Sequence, residues 1–386
     1  MLYDSGVLTN QSPVAHVDVS VAGVQVLALV ATNGVSGSID YDHADWAGAE
    51  LTPADADAKA RYKKIVYDSQ RMDRLLVELF LEAREQSPER IVLDVDATDD
   101  PVHGNQEGRF FHGYYRDYCS LPLYIICEEF VLCARLRSSN IDASAGALEE
   151  VKRILTQIRA KWPTVEIVLR GDGGFCRDAI MSWCEDNGVG FVFGLAKNKR
   201  LGKIIGQQLQ QAKAQFEETK KAARVFTEFS YQTRKSWKRE RRVVAKAEHL
   251  DKGANPRFVV TSFSADQIEA RALYEELYCA RGEMENRIKE QQLALFADRT
   301  STELMRSNQL RLYFSTFAYQ LMQGLRRLGL KGTEMAQAQC QTIRLKLLKI
   351  GAQIRVTVRR VYLSLATGYP FRAVFARVYA NLMSTA

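Results

Sequence analysis

The sequence predicts an α/β fold built on a mixed sheet with flanking helices. Three observations carry this. Residues 91–96 form an apolar strand that ends in acids, and two apolar runs, 121–127 and 130–136, read as a hairpin beyond it. Two further apolar strands, 165–169 and 191–195, are each preceded by a segment of helical periodicity.

The elements follow in order. Asp68 is placed to cap a helix carrying Met72, Leu75, Leu76, Leu79 and Phe80 on one stripe, ending near Gln86 before Pro88. The strand 91–96 comes next, then a polar, glycine-containing stretch over 103–116. Glu128 and Glu129 mark the turn of the hairpin. Leu148, Val151, Leu155, Ile158 and Trp162 mark a helix, and strand 165–169 runs into Gly171-Asp172-Gly173-Gly174. Residues 179–187 are helical, and 191–195 close the series. Three strands that fold back on one another, followed by strands with helical crossovers, match a ribonuclease-H-like order. In such sheets sites lie at the carboxyl ends of strands, where Asp96 and Asp172 stand.

Beyond this core, 200–218 reads as helix, 223–264 as β-rich, and 266–297 and 302–328 as helix. The expected organisation is a divergent N-terminal segment (1–50), a helical lead-in (51–89), the first part of the core (90–200), and a β-rich insertion (201–265). Core completion with a glutamate-bearing helix (266–330) and a basic C-terminal region (331–386) follow.

The chain has 386 residues and a net charge of +7, and the cations are unevenly spread. No acid occurs from Met335 to Ala386, whereas Arg344, Lys346, Lys349, Arg355, Arg359, Arg360, Arg372 and Arg377 do. A second run, Arg234-Lys235-Ser236-Trp237-Lys238-Arg239-Glu240-Arg241-Arg242, is equally dense. Such runs attract phosphates and release counterions, although a single run is as readily a solvated face. The seven cysteines show no C-x-x-C spacing, which points away from a zinc site or disulfide framework and toward reduced thiols in the cytoplasm. The apolar run 19–31 is too short to span a bilayer, so neither secretion nor membrane insertion is expected.

Asp96 and Asp172 are the first two candidate acids, with Asp94, on the same strand face, a rival to Asp96. The third comes from 278–289, where Tyr278, Arg281, Glu285 and Lys289 recur at steps of three and four and would share one helix face. Each residue alone has an ordinary reading as a turn, a cap or an exposed ion pair. Together, three carboxylates suit hard Mg²⁺ or Mn²⁺ ions, two of which, roughly 3.5–4 Å apart, serve phosphodiester chemistry. Arg281 and Lys289 would then grip phosphates.

At this point a resemblance enters. Asp-x-Thr at Asp96, Arg170-Gly171-Asp172-Gly173-Gly174-Phe175, and Tyr278-x2-Arg281-x3-Glu285 resemble the DDE transposases of bacterial insertion sequences with a Y-x2-R-x3-E-x6-K signature. The strings 94–104, 111–115, 282–290 and 342–351 are similar to the insertion-sequence-1380 group, and the likeness covers about residues 50–370. It implies a ribonuclease-H-like core with a β-strand insertion and two metal ions on Asp96, Asp172 and Glu285. It also implies cut-and-paste cleavage of terminal inverted repeats, joining to target DNA, and a homodimer on DNA, in a nucleoid-associated protein. In relatives the insertion carries a tryptophan that stacks on a flipped base. Trp237 is its counterpart here, flanked by Lys238, Arg239 and Arg241, with packing on the sheet the alternative. Two departures stand out: Gln292 replaces the signature's last lysine, and residues 1–50 do not resemble the longer N-terminal region of relatives. A truncated copy that binds DNA without transposing, or a nuclease without joining activity, are the alternatives.

Overall fold

The structure, a computed structural model, describes residues 26–27, 67–357 and 360–385. The N-terminal segment expected over 1–50 lies outside the described residues except for Val26–Leu27 (β1), as does the lead-in up to residue 66. The chain forms two compact units, residues 67–343 with 377–386, and residues 344–376 with the N-terminal part.

The larger unit starts where the sequence places its cap. The Asp68 carboxylate accepts from the amides of Gln70 (3.0 Å) and Arg71 (3.2 Å), two of the unpaired donors at the start of α1 (Ser69–Glu82). Leu76, Val77 and Phe80 bury the helix's apolar stripe. The helix stops at Glu82 rather than near Gln86, because the stripe ends at Leu81. Then come β2 (Arg90–Ala97), β3 (Asp100–Pro101), β4 (Phe110–His112), β5 (Asp117–Ser120), β6 (Leu123–Cys127) and β7 (Phe130–Arg135). Helices α2 (Ala147–Lys161) and α3 (Asp178–Asp186) lead into β8 (Glu166–Gly171) and β9 (Gly190–Leu195). The helix expected over 200–218 is two, α4 (Lys199–Ile204) and α5 (Gly206–Thr219), broken at Ile205. The insertion supplies β10 (Ala223–Tyr231), β11 (Arg241–Leu250), β12 (Gly253–Ala254) and β13 (Arg257–Thr261).

The main sheet runs β10-β11-β13-β9-β8-β2-β6-β7, with β12 beside β11. Strands β2, β6 and β7 are antiparallel, and β8 and β9 are parallel to β2, which is the ribonuclease-H-like order. The insertion continues the same sheet, β13 pairing antiparallel with β9. Strands β3, β5 and β4 form a separate small sheet.

Strand alternation decides which residues meet. Ile91, Leu93 and Val95 of β2, Ile167 and Leu169 of β8, and Phe191 and Phe193 of β9 pack with α1, α2 and α3 on one face. Val168, Val192, Val244 and Val259 pack on the other face with Leu273 and Tyr274. The alternate positions Asp94, Asp96 and Arg170, and Asp172 beyond the strand end, therefore face the side covered by the segment that carries Glu285.

That segment is not one regular helix. It comprises α6 (Ala270–Ala272), a π turn (Leu273–Tyr278), a 3-10 turn (Cys279–Arg281), α7 (Gly282–Lys289) and a second π turn (Glu290–Ala294). Next, α8 (Met305–Gly324) closes the sheet edge at β7. The Gln309 side chain accepts from the Leu136 amide (2.7 Å) and donates to the Ala134 carbonyl (3.0 Å), and Gln320 donates to the Val131 carbonyl (2.9 Å). These amides occupy backbone groups that a bare edge strand would offer to another chain. After α9 (Cys340–Ile343), the smaller unit contributes a hairpin, β14 (Ala352–Val356) and β15 (Val361–Leu365), exposed throughout, with Arg355 over the Tyr362 ring at 4.6 Å. The chain ends in α10 (Arg372–Thr385). All seven cysteines are free, and among the described residues no helix is long and apolar enough to cross a membrane.

Candidate active site

Two adjacent strands and one helix bring the acids together. Asp96 sits one residue from the end of β2 and Asp172 just past the end of β8. The Arg281 guanidinium joins the first acid to the third, with Nη1 3.1 Å from Asp96 Oδ2 and Nη2 2.8 Å from Glu285 Oε1. Burial pushes the Asp96 carboxyl up to about 6; Arg281 opposes this, and the Asp172 and Glu285 charges reinforce it. Asp172 is held by the Gly174 amide, which donates to its Oδ1 at 2.8 Å. A Cβ on Gly174 would stand 2.9 Å from that oxygen, so the glycine keeps the carboxylate's place open. Among the described residues, no three His, Cys, Asp or Glu side chains stand as a ready metal-holding group. The donors are all carboxylate oxygens, which suit a hard divalent ion, and Arg281 occupies the ground between two of them.

Asp94 is placed differently from its rival. It is buried and forms a bidentate pair with Arg170, its register partner on β8, at 2.5 and 2.7 Å. The same guanidinium donates to the Leu277 carbonyl, just before Tyr278. One side chain thus ties β2, β8 and the third-acid segment together. In the sequence Arg170 belongs to the motif around Asp172 but takes no role of its own, because its partner is fixed by strand register.

The face expected for Tyr278, Arg281, Glu285 and Lys289 is only partly kept. Arg281 pairs with Glu285, and Tyr278, reached through a π and a 3-10 turn, stays near enough to Arg281 and Asp172 for their charges to act on its hydroxyl. The Tyr278 hydroxyl rests on β9, where a Cβ on Gly194 would come within 2.6 Å of it. Lys289 is exposed and has no ion pair among the described residues.

Gln292, which stands where the signature has lysine, donates to Asp100 Oδ1 (3.0 Å) and to the Asp99 carbonyl (3.2 Å). Asp100 is fully buried, and its Oδ2 has no hydrogen-bond partner among the described residues. Burial raises its pKa from 3.8 to about 7, Gln292 opposing. The folded state therefore holds this proton more tightly than the unfolded chain. The stability it contributes is complete below the unfolded value and lost as pH climbs through the folded one. Melting temperature is expected to fall between about pH 5 and pH 8, and Gln292→Lys to flatten that fall by supplying a counter-charge. Parallel pH profiles for the two proteins would refute the link.

In the basic run the structure sets aside base stacking by Trp237, leaving the alternative of packing on the sheet, and corrects the expectation for Arg241. Trp237 is 6% exposed and packs edge-on against Tyr231 at 5.8 Å within the main core, so its ring offers no face to a base. Arg241 is also buried, paired with Asp178 (2.8 Å) and Glu185 (2.7 Å) of α3, with its guanidinium 5.5 Å from the Trp237 ring centre. The run folds inward because α3 supplies the acids that neutralise it. Lys238 and Arg239 remain at the surface, the latter near Glu185 and Asp186. Arg241→Ala is expected to lower unfolding free energy by about 1–3 kcal/mol in urea melts, since it removes a buried guanidinium from two half-buried acids, while binding to duplex DNA is unchanged. Normal stability with weakened DNA binding would return Arg241 to the DNA surface.

Sequence reasoning also missed Tyr115, whose hydroxyl donates to the Ala97 carbonyl at 3.1 Å beside Asp96. Burial raises its pKa, and so do the charges of Asp99, Asp96 and Asp172. The aromatic string around it was the available signal.

Comparison with known proteins agrees with this architecture. The family profile described as Transposase DDE domain group 1 matches residues 50–386, and the chain belongs to that family of DDE transposases. A second profile, the NPCBM/NEW2 domain, matches residues 1–52. No curated protein matches the chain. A solved structure, the cryo-EM piggyBac transposase synaptic complex with hairpin DNA, matches with a TM-score of 0.40 and 9% identity. The match covers 67% of this chain and 52% of that one, so it spans about half that transposase's length.

Proposed function

We propose that the chain is a cut-and-paste DNA transposase of the Y-x2-R-x3-E-x6-K superfamily, nearest the insertion-sequence-1380 group. The carrying observation is Arg281 bridging Asp96 and Glu285, with the charges of Asp172 and Glu285 both acting on Asp96. Those three acids would hold two Mg²⁺ or Mn²⁺ ions. When bound, the ions would activate the attacking oxygen and stabilise the leaving one.

The chain's own residues do the rest. Arg281 balances Asp96 and Glu285 until the site is filled, and its five donors can then turn to phosphate oxygens. Lys289, Lys238 and Arg239, at the surface, fit phosphate contacts. Tyr278, seated over Gly194, orients the segment that carries Arg281. Water attacks the phosphodiester at an element end and frees a 3′-hydroxyl, which in turn attacks target DNA. Two ends must be paired, so a homodimer on DNA is expected, acting in the cytoplasm at the nucleoid.

The test uses the full chain and a plasmid carrying the gene with its native flanks. Breaks at the flanks are expected with Mg²⁺, together with joining of pre-cut ends to a second plasmid. Cutting that proceeds equally in EDTA, or no cutting with any divalent ion, rejects the reading. Cutting without joining leaves a nuclease.

A further inference from the structure

The β4–β5 hairpin of the small side sheet places an unusual set of rings in solvent. Phe110 is 44% exposed, Phe111 57%, Tyr114 83% and Tyr118 44%. Folding has gained little from these rings, because each keeps much of its apolar surface wet. The hairpin is nonetheless an ordered pairing, with Phe111 opposite Tyr118 and their rings edge-on at 5.6 Å. The rings alternate with cations. Arg109 lies 4.0 Å from the Tyr118 ring centre, and Arg116 is exposed at the tip. The one acid within the hairpin, Asp117, is engaged by the Tyr118 amide at 2.7 Å. The tip is also anchored at the acids, through the Tyr115 hydroxyl on the Ala97 carbonyl.

We propose that this hairpin is a base-stacking surface for unpaired DNA next to the cleavage site, with Tyr114 and Phe111 stacking on bases and Arg109 and Arg116 on the flanking phosphates. The chemistry selects the partner. Aromatic faces interleaved with guanidinium groups suit a polyanion that presents rings of its own. A duplex hides those rings within its stack, so an unpaired strand is the form that fits. The inference rests on the transposase reading above and adds to it a strand form and a location.

The experiment measures anisotropy of a labelled oligonucleotide of about a dozen thymidines, and of a duplex, with the full chain in EDTA. Combined Phe111→Ala and Tyr114→Ala is expected to weaken oligonucleotide binding about tenfold or more, with duplex binding unchanged and Tyr114→Phe behaving as the parent. Should the combined variant not fold, Tyr114→Ala alone is expected to show the same loss at unaltered melting temperature. Unchanged oligonucleotide affinity overturns the proposal. So does a dimer that becomes monomeric on substitution, which would assign the rings to a second copy of the chain. A parental protein that binds neither DNA form overturns the transposase reading itself, whereas parental binding that survives substitution removes only the hairpin's role.

Discussion

Asp172→Ala is expected to abolish Mg²⁺-dependent cleavage of the gene's flanking DNA, by more than about a thousandfold, while DNA binding persists. An ion that stabilises developing charge contributes several kcal/mol, and each 1.36 kcal/mol is about a factor of ten in rate. Asp172 is well placed to carry such a share. It stands at the carboxyl end of β8, is fixed by the Gly174 amide, and acts electrostatically on Asp96 across the strand pair. Asp96→Asn should behave alike, and the two losses should not add, because acids that hold one site fail as a unit. Removing a negative charge leaves phosphate attraction intact, so binding separates this outcome from misfolding. Undiminished cutting by Asp172→Ala would end its role as a ligand.

Arg170→Met is expected to destabilise the protein by about 3–5 kcal/mol, the scale for removing one partner of a buried ion pair. Asp94 would be left buried on a sheet face without its hydrogen-bonded partner, with only the more distant Arg281 charge opposing its burial. Burial already raises its pKa against the pull of Arg170. The Leu277 carbonyl would lose its donor as well. Adding Asp94→Asn to Arg170→Met should recover part of the loss, because a neutral amide is cheaper to bury than a lone carboxylate. Urea denaturation of the three proteins measures this. Equal midpoints for Arg170→Met and the parent would show that the pair does not hold the fold.

Much of the fold was legible because strand alternation and helical stripes are local signals. The succession of strands and helices along the core, the Asp68 cap and the positions of Asp96 and Asp172 at strand ends follow from residues near each other in sequence. What escaped depended on distant partners. Nothing in 223–261 shows that β13 docks on β9, since an edge is chosen by geometry rather than composition. The sequence leaves Trp237 open between stacking on a base and packing on the sheet, and only the folded chain sets it against Tyr231 in the core. The third-acid segment has α-helical spacing throughout, so its π and 3-10 turns carry no local signature. Asp94 and Asp96 were inseparable from their spacing alone, and only strand register shows that Arg170 stands opposite the first.

The long reach of the site's contacts has a consequence for synthesis. Arg281 meets Asp96 across a separation of 185 residues, and Arg170 meets Leu277 across 107. Contacts so distant in sequence form late, after local pairings have brought the intervening chain together. On the proposed function, a nascent polypeptide still threading from the ribosome carries its first two acids without the third, and cannot cut DNA until the segment around Glu285 has emerged.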